Sequence, residues 1–271
     1  MFLKFYIPLT YAYSTRMSRS VTGVLKWLCE YIIPTLFCFV FSDLRLNCGI
    51  EFYVLILLLV YNLYEIGYIQ NDTETVKNEL KPTLRLNVDE RNYYESHIFP
   101  IYGLRLFVSI LISILILFLS DYSKGSFVVV SGSWTILITY LFYNSVRGKI
   151  SFLLHFFLLF LRYSAFLFIF FPHIPCDIFL LSVLIFPLPT MMEIIRKGKF
   201  DVQFNFSKIY LKNYDNRYSF RVKYYFILTI LTIVFSITGY SSSTLILLPL
   251  YFLGYRIVFI LLNKSKSPNN P

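Results

Sequence analysis

Eight separated apolar runs, each close to 20 residues long, limit what this chain can become: 21–42, 50–70, 101–120, 126–144, 150–171, 176–194, 223–240 and 243–262. In a helix, about 20 mostly apolar residues cover the ~30 Å hydrocarbon core of a bilayer. Within that core the backbone must satisfy its own hydrogen bonds, so such runs predict helices. The expected fold class is an all-α polytopic membrane protein. Two long polar connections, 71–100 and 195–222, interrupt the runs, and neither is large enough to fold alone. The expectation is a single transmembrane domain over 1–271.

Composition agrees with a lipid solvent. Only 15% of residues are charged, against about 25% in soluble domains. The 23 tyrosines suit a chain with many membrane–water boundaries, where the ring is buried and the hydroxyl stays wet. The net charge of +10 would suggest nucleic acid in a soluble protein. Here topology accounts for it. With the N-terminus inside, the inner segments hold Lys4, Arg16, Arg19, Lys77, Lys81, Arg85, Arg91, Arg147, Lys149, the basic residues of 195–222, Lys264 and Lys266. The outer loops hold only Arg45 and Lys124. This bias predicts that both termini and both long connections are cytoplasmic, with no nucleic-acid partner. The N-terminal 20 residues lack the apolar core and small-residue cleavage site of a signal peptide.

Little supports covalent catalysis. Cys29, Cys38, Cys48 and Cys176 show no metal-ligand spacing. The first two read as core residues; the last two fall in outer loops, where a disulfide stays open. No HExxH, GxSxG or phosphate-binding glycine loop is present.

The polar residues gather on the second run. Nothing breaks a helix at Ile69, and Pro82 is the first clear stop, so the helix is expected to pass the bilayer surface. On it, Glu65, Asp72 and Glu79 lie within about 40° of one another at about 100° per residue, with Asn62 about 60° from Glu65 on the same side. Carboxylates at two-turn spacing suit a hard cation such as Mg²⁺ held between protein and phosphates. The plainer alternative is that Glu74 and Glu79 solvate a helix end beside Lys77 and Lys81. Glu65 lies at or inside the membrane boundary, where a charge needs a partner. Arg105, Arg162 and Arg256 interrupt other runs. Each either snorkels to a headgroup or turns inward to meet an anion, for which a guanidinium fork suits phosphate oxygens.

These residues resemble the UbiA-type prenyltransferase superfamily. Its first signature is N-D-x-x-D-x-x-x-D at the cytoplasmic end of the second helix, followed by a basic, proline-containing stretch. This chain has Asn71-Asp72-x-x-Thr75-x-x-x-Glu79, then Lys81-Pro82 and Arg85. Thr75 replaces the second acid. Tyr143-Asn144-Ser145-x-Arg147-x-Lys149 is similar to the family's tyrosine-serine-basic motif after the fourth helix. The second acidic signature is departed from: Glu193, Asp201 and Asp215 lack its D-x-x-x-D spacing.

The resemblance implies a UbiA-like bundle with a cytoplasm-facing cavity, in the inner (cytoplasmic) membrane of a bacterium. It implies Asp72 and Glu79 as ligands of Mg²⁺, and Asp72 with Glu65 as catalytic residues. Asn62, Asn71, Lys81, Arg85, Tyr143, Arg147, Lys149, Arg162 and Glu193 would bind substrate. One branch of the family transfers a phosphoribosyl group from phosphoribosyl diphosphate to polyprenyl phosphate, and the text around Glu65–Leu86 resembles UbiA-like proteins of bacterial surface-polysaccharide synthesis. Most other members move a prenyl chain from a prenyl diphosphate to an aromatic or lipid acceptor. Outside enzymes, a non-catalytic scaffold or a transporter of lipid-linked anions remains open.

Overall fold

The computed structural model describes residues 2–17, 21–43, 48–78, 83–146, 148–197, 200 and 217–265. Among them there are helices and no strand, and eight helices are long and apolar enough to cross a membrane. The protein is an all-α polytopic membrane protein whose surroundings are a lipid bilayer. It divides into two compact units, Met1–Pro175 and Cys176–Pro271.

The first unit opens with a segment of short helical turns, Phe2–Met17, ending in a π turn over Tyr13–Met17. It continues as α1 (Gly23–Asp43), α2 (Ile50–Thr73), α3 (Val88–Ser96), α4 (Ile98–Leu119), α5 (Lys124–Ser145) and α6 (Lys149–Phe168). The second holds α7 (Cys176–Ile185), α8 (Pro187–Arg196), α9 (Arg217–Ile237) and α10 (Leu247–Ser265).

The first unit is built around α2. Its apolar window is 72% buried, against 28% for α4. A helix that is hydrophobic all round belongs inside, whereas α4 is sided. Ile101, Arg105, Ser109, Ser113 and Ile116, spaced by three or four, are buried. Phe107, Ile110, Leu111, Ile114, Leu115 and Phe118 are left for lipid. Small residues on the inward faces let these helices approach closely. Trp134 of α5 donates to Ser113 Oγ across 3.1 Å. A Cβ on Gly67 of α2 would stand 2.2 Å from the Tyr140 ring of α5, and one on Gly125 would stand 1.9 Å from the Ile169 carbonyl oxygen.

Two local features refine the reading of the sequence. As expected, α2 passes Ile69; it stays α-helical to Thr73 and tightens into a 3₁₀ turn over Thr75–Asn78. The connection after it is not all loop. The side chain of Asn87 accepts from the Glu90 amide while Glu90 accepts from the Asn87 amide, a capping box that starts α3. The sixth span is one membrane-length element over Cys176–Arg196, interrupted at Phe186 into α7 and α8, because Pro187 lacks the N–H that would continue the first half. All four cysteines are free thiols.

Candidate functional site

Asn62, Glu65 and Asp72 of α2 are all fully or almost fully buried, Asn62 against α4 and the two carboxylates against the N-terminal segment. Arg105 of α4 is the clamp. Its Nη1 donates to Asn62 Oδ1 (2.8 Å) and Glu65 Oε2 (2.9 Å). Its Nε donates to the Phe5 carbonyl (2.7 Å) and its Nη2 to the carbonyls of Lys4 (2.9 Å) and Ile7 (3.3 Å). Asn62 in turn donates to the Arg105 carbonyl and Ser109 Oγ, and the other Glu65 oxygen accepts from the Ala12 amide. Every guanidinium nitrogen is thus engaged by the chain itself. Arg105 has turned inward, but its anion is Glu65, and the pair fastens the segment that carries Tyr11 and Arg16.

That segment delivers two side chains to Asp72. Arg16 grips the carboxylate as a fork, Nη1 to Oδ2 at 2.9 Å and Nη2 to Oδ1 at 3.0 Å. Arg85 adds Nη1 to Oδ1 at 2.9 Å, and the Tyr11 hydroxyl donates to Oδ2 at 3.0 Å. Asn71 Nδ2 lies 3.4 Å from Oδ1. Burial first, and then the Asp72 charge, push the Tyr11 hydroxyl well above its ordinary range, so it remains a donor. Two guanidinium groups against one carboxylate leave a positive excess. Both arginines are partly exposed while the Asp72 carboxylate is not, so the excess faces outward from the pair.

Arg162 of α6 has a different setting. Its Cζ lies 4.2 Å from the centroid of Tyr31, 5.0 Å from Tyr61 and 5.1 Å from Tyr64. Nη2 donates to the Tyr61 hydroxyl, which also accepts from Trp27 Nε1. Nε is buried without a hydrogen-bond partner, and no described carboxylate pairs with the side chain. A cation at mid-membrane costs about 3 kcal/mol on insertion scales. Three ring faces at about 0.5–2 kcal/mol each offset that without consuming the charge. The tyrosines continue along α2: Tyr64 meets Tyr68 edge-on at 5.1 Å, and Arg16 Cζ lies 3.6 Å over the Tyr68 ring.

The other predicted residues scatter. Tyr143 packs against Tyr140 and His155. Its neighbour Asn144 reaches α2, donating to the Gly67 carbonyl (3.1 Å) and Gln70 Oε1 (2.9 Å). Lys149 is exposed at the start of α6. In the second unit, Glu193 accepts from Arg221 Nε, and Arg221 also donates to Tyr225 and Thr190. Glu79, Lys81, Arg147, Asp201 and Asp215 lie outside the described residues. Tyr11, Arg16, Tyr31, Tyr61, Tyr64, Tyr68 and the buried Glu30 of α1 escaped the sequence reading. Separated basic residues ahead of the first span and scattered tyrosines form no motif.

The described residues do not fit a divalent-cation site. No group of three or more His, Cys, Asp or Glu side chains meets among them, and both Asp72 oxygens accept from arginine. What the geometry defines is a buried carboxylate overmatched by guanidinium groups at one end of a helical membrane bundle. No family model matches the chain, and no curated protein or solved structure matches it.

Proposed function

We propose that the protein is a membrane-embedded transferase of UbiA type acting on phosphorylated substrates. In this reading it moves a phosphoribosyl group from phosphoribosyl diphosphate to polyprenyl phosphate, for bacterial surface polysaccharide. The observation that supports it is the guanidinium excess of Arg16 and Arg85 over Asp72, with Arg162, linked to Arg16 through the Tyr64–Tyr68 ring pair, free of any described carboxylate. Such donors suit phosphate oxygens, and in a water-poor site they stabilise charge that develops as a bond breaks. A phosphate oxygen of the lipid would attack the anomeric carbon. A new C–O bond forms, and the old one breaks with its electron pair leaving on diphosphate. Asp72 would hold Arg16 and Arg85 in place rather than react.

The membrane would be the bacterial inner membrane, with the termini, the Asp72 end of α2 and both basic connections in the cytoplasm. Mg²⁺ is the cofactor implied by the resemblance. The charge neutralisation derived from the described residues runs through guanidinium groups. A second reading, prenyl transfer to an aromatic or lipid acceptor, would use the same guanidinium groups on the diphosphate of a prenyl donor. Purified protein supplied with labelled phosphoribosyl diphosphate or prenyl diphosphate, with and without EDTA, tests both. A labelled lipid from the first donor supports the main reading, and product from the second alone supports the other.

A further inference from the structure

Arg105, Arg16 and Arg162 divide into a closed one, fully buried, and an open pair, each only partly covered. Arg105 places every nitrogen on the chain's own acceptors. Arg162 keeps Nε without a partner, and Arg16 makes no described hydrogen bond from Nε. The side chain common to the open pair is Tyr68. Its ring lies under Arg16 at 3.6 Å and meets Tyr64, which carries Arg162 at 5.1 Å. Tyr68 is an electrostatic neighbour of both guanidinium groups. It is half-buried, and its hydroxyl has no hydrogen-bond partner among the described residues. On α2 it precedes Asp72 by one turn, about 6 Å along the axis.

We infer that Tyr68 is a substrate-contacting residue, its hydroxyl donating to an oxygen of a phosphate group that Arg16 and Arg162 hold by charge. A phenol donor between two cations suits a phosphate: it supplies a directed bond where the guanidinium groups supply attraction. The ring is held by its neighbours, so the hydroxyl meets the anion without reordering. The phosphate belongs to a lipid headgroup or to a soluble diphosphate, which share this chemistry. The inference rests on the reading of this site as a phosphate site and adds to it the residue that aligns the group.

The test is equilibrium dialysis of detergent-purified full-length protein against two labelled probes, inorganic pyrophosphate and farnesyl phosphate, at constant ionic strength set with sulfate. Tyr68→Phe keeps the ring beneath Arg16 and removes only the donor. Its expected effect is binding weaker by about tenfold or more, the loss of one hydrogen bond to a charged group. Weakening for pyrophosphate alone identifies a soluble diphosphate, for farnesyl phosphate alone a lipid headgroup, and for both the shared phosphate. If Tyr68→Phe does not fold, 4-fluorophenylalanine at position 68 replaces it; it fills the space of the hydroxyl without a donor, and the same loss is expected. Wild-type binding with either replacement within twofold of it overturns the role of Tyr68 alone. A wild-type protein that binds neither probe overturns the phosphate reading and this inference together.

Discussion

Arg105 and Glu65 meet at 2.9 Å with neither side chain exposed, and the same guanidinium holds three backbone carbonyls of the N-terminal segment. The pair joins α2 and α4 to a stretch of chain that precedes the first span. Through it, residues with no membrane-spanning role of their own become one wall of the site.

Breaking the clamp from one side should be severe. Arg105→Gln leaves Glu65 as a buried charge without its cation, which costs about 3–5 kcal/mol. In detergent it should lower the melting temperature sharply. Glu65→Gln should expose the segment around Tyr11 to chymotrypsin before the bundle itself unfolds. Equal digestion of Glu65→Gln and wild type would mean that the segment is anchored elsewhere.

Asp72→Asn should remove activity and also weaken the fold. The sequence alone suggests that folding is indifferent to this change, because Asp72 lies past the apolar part of its helix. The structure corrects that: the side chain is buried between Arg16 and Arg85. Asparagine keeps one acceptor and leaves two guanidinium groups facing each other, a loss of about 3 kcal/mol or more. Glu74→Gln is the control. Glu74 is half-exposed and pairs with Lys77 one turn away, so its change should stay within about 0.5 kcal/mol. Thermal unfolding in detergent separates the two.

Packing predicts a third outcome. Gly67→Ala would set a methyl against the base of the Tyr140 ring, and Gly125→Ala would set one against the Ile169 carbonyl. A ring can tilt, but a helix carbonyl moves only with its helix. Overpacking costs about 1–3 kcal/mol, with Gly125→Ala the worse of the two. Melting temperatures in the reverse order would contradict the close approach of α5 to the end of α6.

How far the sequence reached follows from where its signals lie. Apolar length is written in consecutive residues, so the eight spans stand out, and even the break at Phe186 is marked by Pro187. The shared face of Asn62, Glu65 and Asp72 is likewise a matter of spacing along one helix. The partners of that face are not. Arg105 binds carbonyl oxygens, which leave no trace in side-chain identity. Arg16 reaches Asp72 only because the chain before α1 folds back over α2. The ring cage of Arg162 comes from α1 and α2, far apart in sequence from α6, so nothing local distinguished these tyrosines from interfacial ones.

Orientation has its own test. Single cysteines replacing Arg91 and Lys212, in a background without the four native thiols, should resist a membrane-impermeant maleimide in intact cells and react after the membrane is opened. Labelling of either in intact cells would invert the topology and move the Asp72 site to the outer face.

The central claim is transfer between phosphorylated substrates at the arginine-rich end of α2. Detergent-purified protein, polyprenyl phosphate and labelled phosphoribosyl diphosphate should yield a labelled lipid and one diphosphate per transfer. Arg162→Gln should reduce the rate by about a hundredfold, in line with losing a preorganised donor at a reacting centre, while the protein stays folded. Folded wild-type protein that transfers from neither phosphoribosyl diphosphate nor a prenyl diphosphate, with or without Mg²⁺, would contradict the assignment.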